Sequence, residues 1–211
     1  HAAGTEIDGG HRNTLVGFGA MAEDAGQDSN DNTFIGWKSG GAQAAGANNW
    51  NTAPSSFNVG VGSSALAGAM NEAQGNVAVG FEAGKDVRTG DYNVAIGYQS
   101  LDNARDTDDC VAIGRGAMGG AITTGTVEGC VAIGKTALGG ALATDADYTI
   151  GIGQEAGSGI TSGQGNIAIG YQALDGEDDG DYNIAIGHQA LTAQGGTTGE
   201  VANTVIGYKA A

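Results

Sequence analysis

One short apolar phrase recurs along nearly the whole chain. The segment "NVAVG" ends at Gly80, and "NVAIG" ends at Gly97, seventeen residues later. Anchored on its last glycine, the phrase occurs eleven times at spacings of 17 to 26 residues. The eleven anchors are Gly17, Gly36, Gly62, Gly80, Gly97, Gly114, Gly134, Gly153, Gly170, Gly187 and Gly207. A period between the length of a helix turn and that of a domain predicts a repeat array.

The residues around each anchor vary much less than the spacings do. Val or Ile stands one residue before the anchor in every copy (the apolar column), and Val, Ile or Thr stands three before it. The residue two before the anchor is usually Ala or Gly (the inner column), and Ala or Ser always stands three after it. Two β-branched positions at period two favour a short strand with two different faces.

Asparagine occupies the position four before the anchor in eight copies, and Cys or Thr replaces it in the other three. Residues of one column in stacked coils can hydrogen-bond along the stack as a ladder. The predicted ladder, the asparagine column, consists of Asn13, Asn32, Asn58, Asn76, Asn93, Cys110, Cys130, Thr149, Asn166, Asn183 and Asn203. We interpret the two cysteines as small buried thiols, although neighbouring copies also allow a disulfide between them.

A strand every 17–20 residues is typical of a solenoid, whose equivalent strands stack about 4.8 Å apart. Glycine is 41 of 211 residues and aromatic residues are 6%, so a conventional Leu and Phe core is not expected. Small residues suit the inside of so short a coil, which places the apolar column outside. Soluble monomers rarely expose such a strip, so we predict that it is buried between chains about a threefold axis. The predicted fold is an all-β, homotrimeric parallel β-solenoid of about eleven coils, a single array over 1–211 with one insertion around Trp50.

The net charge of −16 comes mostly from acids between the copies, in "EDAGQDSND", "LDNARDTDDC" and "LDGEDDGDY". Such a surface repels nucleic acids and acidic membranes, so neither is an expected partner. No apolar run approaches the ~20 residues of a membrane span. Because the chain opens on His1, we expect it to be a mature or internal piece of a longer protein.

The residue just after the anchor (the ring column) is the candidate binding position. It holds half of the aromatic residues of the chain, and flat rings in a row can stack on sugars. The predicted glycan contacts are Trp37, Phe81, Tyr98, Tyr171 and Tyr208, with Phe18 in the same column. The alternative is that these rings pack at the edge between subunits.

No catalytic constellation stands out, so we predict a non-enzyme with no catalytic residue and no resident cofactor or metal. The segment "GIGQEAG" at 151–157 is close to a dinucleotide-binding phrase, but its third glycine comes one residue late and the segment is one more copy of the repeat. The segment "DGEDDGDYN" begins like a calcium loop, yet its closing Glu would fall on Ile186. A weak Ca²⁺ site among stacked acidic loops, and a glycan hydrolase, are the alternatives.

The copies "NVAIGYQSL", "NIAIGYQAL", "NIAIGHQAL" and "CVAIGKTAL" resemble the head repeats of trimeric autotransporter adhesins. They are still more similar to the related repeats of bacteriophage tail fibres, as "NTFIGWKSG" at 32–40 also is. The resemblance implies a trimer of left-handed parallel β-rolls. Coils longer and more variable than those of adhesin heads favour an extracellular virion tail fibre, as a shaft or as a part that binds a host-surface glycan. The alternative is an adhesin head on the bacterial cell surface.

Overall fold

A computed structural model describes residues 3–4, 10–22, 28–41, 53–68, 70–122, 125–143, 146–176, 179–192, 199–200 and 202–210. The predicted insertion around Trp50 lies outside these residues. Within them, no helix is long and apolar enough to cross a membrane. The elements are β1 (Thr14–Val16), β2 (Thr33–Ile35), β3 (Val59–Val61), β4 (Val77–Val79), β5 (Val94–Ile96), β6 (Thr107–Asp108), β7 (Val111–Ile113), β8 (Val127–Glu128), β9 (Val131–Ile133), β10 (Ile150–Ile152), β11 (Ile167–Ile169), β12 (Gly180–Asp181), β13 (Ile184–Ile186), β14 (Gly199–Glu200) and β15 (Thr204–Ile206).

The chain divides into two compact units, His1–Thr107 and Asp108–Ala211. In the first unit β1 to β5 pair one after another, in parallel, with each residue opposite its equivalent. In the second unit β7, β9, β10, β11, β13 and β15 do the same, so that Ile167 stands opposite Ile184. A chain that returns to the next strand in parallel and in register is a β-solenoid. The prediction of an all-β, parallel β-solenoid is therefore confirmed.

Each strand of the repeat ends just before its anchor glycine, whose backbone conformation is unfavourable for any residue that has a Cβ. Gly134 has a φ of +136°, which residues with a Cβ rarely adopt. A Cβ at Gly134 would also lie 2.4 Å from the carbonyl oxygen of Gly153 in the next coil. Both the backbone conformation and the contact between coils therefore require glycine at this position.

Small side chains line the interior beside the strands, as the sequence predicts. In the inner column Ala78, Ala112 and Ala168 are fully buried, and so are Ala83 and Ser100 three residues after their anchors. These residues leave room for the opposite side of a narrow coil.

Larger side chains four residues after the anchor fill the remaining interior. This leucine column was not assigned from the sequence. It consists of Met21, Leu66, Leu101, Met118, Leu138, Leu174 and Leu191, all of them buried and all at positive φ. A positive φ is uncommon for such residues, and here the surrounding coils hold it because the side chain packs inward.

Glycine replaces a leucine-column residue where a neighbouring side chain takes the space. A Cβ on Gly40 would lie 2.5 Å from Cδ2 of Phe34, whose ring is fully buried. A Cβ on Gly157 would lie 2.7 Å from Cδ2 of Leu138. The volume inside the coils is thus shared between successive copies, because interiors are close-packed.

Candidate functional site

The asparagine column runs as a hydrogen-bonded ladder inside each unit. The backbone N–H of Asn76 donates to Oδ1 of Asn58 at 2.9 Å, and that of Asn93 donates to Oδ1 of Asn76 at 3.0 Å. Nδ2 of Asn76 also donates to the carbonyl oxygen of Gly90 at 2.7 Å, in the loop that leads into the next strand. The buried amide of Asn76 therefore joins two coils and also bonds across the interior of its own coil. Nδ2 of the equally buried Asn183 has no hydrogen-bond partner within the described residues. The same backbone-to-side-chain bond joins Asn13 to Asn32, Asn32 to Asn58, Asn166 to Asn183 and Asn183 to Asn203.

The residues that replace asparagine keep the same connections. The N–H of Cys130 donates to Sγ of Cys110 at 3.4 Å, and Sγ of Cys130 donates to the carbonyl oxygen of Ala146 at 3.1 Å. The hydroxyl of Thr149 accepts from the N–H of Asn166 at 3.4 Å. Both thiols are buried, and they are not joined in a disulfide. A hydrogen bond with Cys130, and then burial, raise the pKa of the Cys110 thiol, which keeps it neutral.

The apolar column faces outward in both units. In the first unit Val16 is 55% exposed and Ile96 39%, and in the second Ile133 is 37% and Ile206 67% exposed. The Val and Ile residues two positions earlier are half-buried, as at Val94. Each unit thus carries a strip of β-branched side chains with no covering element among the described residues.

The ring column lies beside that strip, and backbone bonds hold its members in register. In the first unit the N–H of Gln99 donates to the carbonyl oxygen of Phe81 at 2.9 Å. The rings of Phe81 and Tyr98 are stacked, with centroids 5.4 Å apart and planes 12° apart. Nζ of Lys38 lies 5.1 Å from the centroid of Trp37, which is 49% exposed. The structure therefore brings Phe81 and Tyr98 together as a platform, and Trp37 pairs with a cation.

In the second unit a histidine completes the row of rings. His188 lies 4.9 Å from Tyr171 and 5.2 Å from Tyr208, measured between ring centroids. Tyr171 and Tyr208 were the predicted contacts, and His188 was not assigned although its place in the ring column was visible in the sequence. All three side chains are exposed.

Polar side chains two residues after the anchor (the flanking column) border the rings. Nε2 of Gln172 donates to Oε2 of Glu155 at 2.8 Å, and Nε2 of Gln189 donates to Oε1 of Gln172 at 2.8 Å. Hydrogen bonds from Gln154 and Gln172 lower the pKa of Glu155, so its carboxylate stays charged. The rings are therefore flanked by fixed donors and acceptors, the combination that sugar hydroxyls and sugar faces need.

A second outward row of rings stands five residues before the anchor and was missed from the sequence. This tyrosine column consists of Phe57, Tyr92, Tyr148 and Tyr182, which are 46–60% exposed. All have positive φ, and Gly75 occupies the same column in the copy before Tyr92. A Cβ on Gly75 would lie 2.5 Å from Cδ1 of Tyr92, so the ring covers that glycine. The available signal was the "DYN" triplet at 91–93 and 181–183, directly before β5 and β13.

Asp102 is a buried carboxylate in the first unit. Its Oδ1 accepts no hydrogen bond within the described residues, while Nζ of nearby Lys85 lies 3.5 Å from Oε1 of Glu82. Burial raises the pKa of Asp102 to about 6, and Lys85 offsets part of that rise. At neutral pH the charged carboxylate of Asp102 therefore destabilises the folded state.

No group of three or more His, Cys, Asp or Glu side chains in the described part of the chain could hold a metal ion. The calcium alternative among stacked acidic loops stays a prediction, and Glu177 and Asp178 of the segment "DGEDDGDYN" lie outside that part. The apolar, ring and tyrosine columns are repeated and outward-facing. They are suited to association and to stacking on a repeated ligand.

The chain matches no protein-family model. No curated protein and no solved structure matches it either.

Proposed function

We propose that this chain is a non-catalytic segment of a homotrimeric bacteriophage tail fibre, built from left-handed coils. The outward apolar column carries the proposal. A β-branched strip repeated once per coil, from Val16 to Ile206, is unusual on a soluble monomer. A threefold arrangement covers all three copies of the strip with one kind of contact.

The energy available from this contact is large because the strip is repeated. Burying the exposed part of each Val or Ile side chain contributes roughly 1 kcal/mol. Ile35, Val79 and Ile96 in the first unit and Ile133 and Ile152 in the second are each 36–39% exposed. Contributions of this size from every coil of three chains outweigh the entropy cost of association.

The assignment to a phage fibre rests on the resemblance of the repeats and on the character of the surface. Near-identical coils provide a repeated surface, and acidic segments keep it soluble. We propose that the ring column contacts a host-surface glycan, since weak contacts repeated along three chains add up through avidity. The same architecture would serve an adhesin head. Mass spectrometry of purified virions and of bacterial envelopes distinguishes the two, and recovery from envelopes alone rules out the phage assignment.

Oligomeric state tests the trimer. We expect light scattering to give three times the chain mass, and Ile96→Asp with Ile133→Asp to abolish the trimer by burying charges without partners. Ala121→Asp is the control, because Ala121 is exposed and lies outside the apolar column. A wild-type monomer at tens of micromolar, or a trimer that survives both aspartates, refutes the proposal.

A further inference from the structure

We infer that the ring column of the second unit binds an acidic, linear glycan, one that carries carboxylates on its sugars. The inference rests on the proposed function and names the chemistry of its ligand. Six successive copies place Arg115, Lys135, Gln154, Tyr171, His188 and Tyr208 in this column, and all six side chains are exposed.

The backbone holds these six side chains at the spacing of the coils. The N–H of Thr136 donates to the carbonyl oxygen of Arg115 at 3.0 Å, and that of Glu155 donates to Lys135 at 3.0 Å. Further along, the N–H of Gln189 donates to Tyr171 at 2.8 Å. Successive side chains therefore stand about 4.8 Å apart. A straight polymer lying along the column meets two cations, then an amide, then three rings.

The charge of this column is opposite to that of the chain. The protein has 24 acidic and 8 basic residues, yet no acid stands in the ring column of any copy. Two of the eight basic residues, Arg115 and Lys135, stand there in adjacent copies. Hydrogen bonds from Gln154 and Gln172, and then the charge of Lys135, lower the pKa of Glu155 in the flanking column. The two cations outnumber this one carboxylate. The cations therefore give the column a local positive charge.

The net charge of −16 does not prevent such binding at physiological salt. The Debye length is then about 8 Å, which is shorter than two coil spacings of about 4.8 Å each. A carboxylate seated on the column is attracted mainly by Arg115 and Lys135, whereas the distant acidic segments are screened. Arginine is suited to a carboxylate because its planar guanidinium donates two parallel hydrogen bonds.

The first unit provides an internal comparison. Its ring column reads Phe18, Trp37, Ser63, Phe81 and Tyr98, with no cation among them. It offers stacking surfaces for sugar faces, and its cation stands in the flanking column, where Nζ of Lys38 lies 5.1 Å from the centroid of Trp37. We therefore expect the preference for an acidic glycan to be stronger in the second unit, whose ring column itself carries two cations.

The test compares immobilised polygalacturonate, alginate and hyaluronate with their methyl esters, which keep the sugars and remove the charge. We expect the full-length chain to bind the acidic forms roughly two- to tenfold more tightly, as two exposed ion pairs provide. The double variant Arg115→Gln, Lys135→Gln removes this preference. The double variant Arg88→Gln, Arg105→Gln keeps it, although it loses the same charge from exposed side chains outside the column.

Three results overturn the inference: equal binding of acid and ester, the same loss of preference in both double variants, or no binding to any of the polymers. Light scattering on the same samples distinguishes a failure of the glycan inference from a failure of the proposed function. A trimer without the preference refutes the glycan inference alone, whereas a monomer refutes the fibre.

Discussion

Truncating one internal asparagine tests whether the ladder supports the coils. In Asn76→Ala the change removes Oδ1, which accepts from the N–H of Asn93 at 3.0 Å, and Nδ2, which donates to Gly90 at 2.7 Å. Nδ2 of Asn93 keeps its second acceptor, the carbonyl oxygen of Thr107. Two backbone groups in the interior, the N–H of Asn93 and the carbonyl of Gly90, each lose the hydrogen bond that Asn76 provides.

The expected loss follows from those two groups. A buried backbone donor or acceptor without a partner costs about 1–3 kcal/mol. Asn76→Ala is therefore expected to lower the free energy of unfolding by about 2–5 kcal/mol. Asn76→Cys is expected to cost less, because the sulfur of Cys110 in this chain already makes both kinds of contact: it accepts from the N–H of Cys130 and donates to the carbonyl oxygen of Val127.

Urea unfolding followed by circular dichroism measures this loss, at one fixed chain concentration because an oligomer changes the apparent stability. Hydrogen exchange at the Asn93 amide gives a local measure, since repeat arrays can open in parts. Asn203→Ala is the control, because Asn203 is the last member of the column and is half-exposed.

A change below about 0.5 kcal/mol in Asn76→Ala, with unaltered exchange at Asn93, would refute this reasoning. It would mean that water or a shifted backbone satisfies the two groups. An equal loss in Asn203→Ala would also contradict it, since the cost would then not depend on burial.

Three further predictions follow from the interior. Gly134→Ala forces a Cβ to within 2.4 Å of the Gly153 carbonyl oxygen, and it should lower the free energy of unfolding by at least about 3 kcal/mol. In the control Gly116→Ala the new Cβ would meet only a methyl group at 3.4 Å, and the loss should be about 1 kcal/mol. Equal melting temperatures for the two variants would contradict this. Asp102→Asn should stabilise the protein at pH 7.5 by roughly 1–2 kcal/mol, because solvent screening reduces the full effect of a pKa raised to about 6. The folded state binds the extra proton, so wild-type stability falls as pH rises from about 4 to about 6 and stays low above it. The variant should lose that part of the pH profile in thermal melts, and an unchanged profile would exclude Asp102 as its source. Cys110→Asn should raise stability by up to about 1 kcal/mol in urea unfolding, because an amide donates and accepts better than a thiol; a loss above that amount would show that the site is too small for an amide.

Much of the coil architecture is predictable from the repeated columns. Val or Ile before every anchor, with Ala between two such positions, defines strands with one small face and one β-branched face. Gly134 and its equivalents mark the strand ends, because no other residue adopts their φ beside a neighbouring carbonyl. Such information is local or repeats at a fixed period, so a single sequence displays it.

The sequence predicts which residues belong to the ring column, but not which of their rings are in contact. Its membership follows from counting residues after the anchor, and Tyr98 and Tyr171 were identified in this way. Which rings touch depends on three-dimensional spacing. Phe81 stacks on Tyr98, and His188 lies between two tyrosines only because backbone bonds place consecutive coils in register.

The leucine column and the tyrosine column could not be predicted from the sequence, because tertiary contacts determine the conformation of their residues. Leu138 points inward at a φ of 46°, a conformation that residue preferences argue against. The surrounding coils hold that conformation because the side chain then fills space left by Gly151 and Gly157. Tyr92 adopts a φ of 56° and covers a glycine of the preceding coil. The strand pattern is local and can be read along the chain, whereas these conformations are stabilised by contacts between residues about one coil apart, which exist only after the coils have stacked.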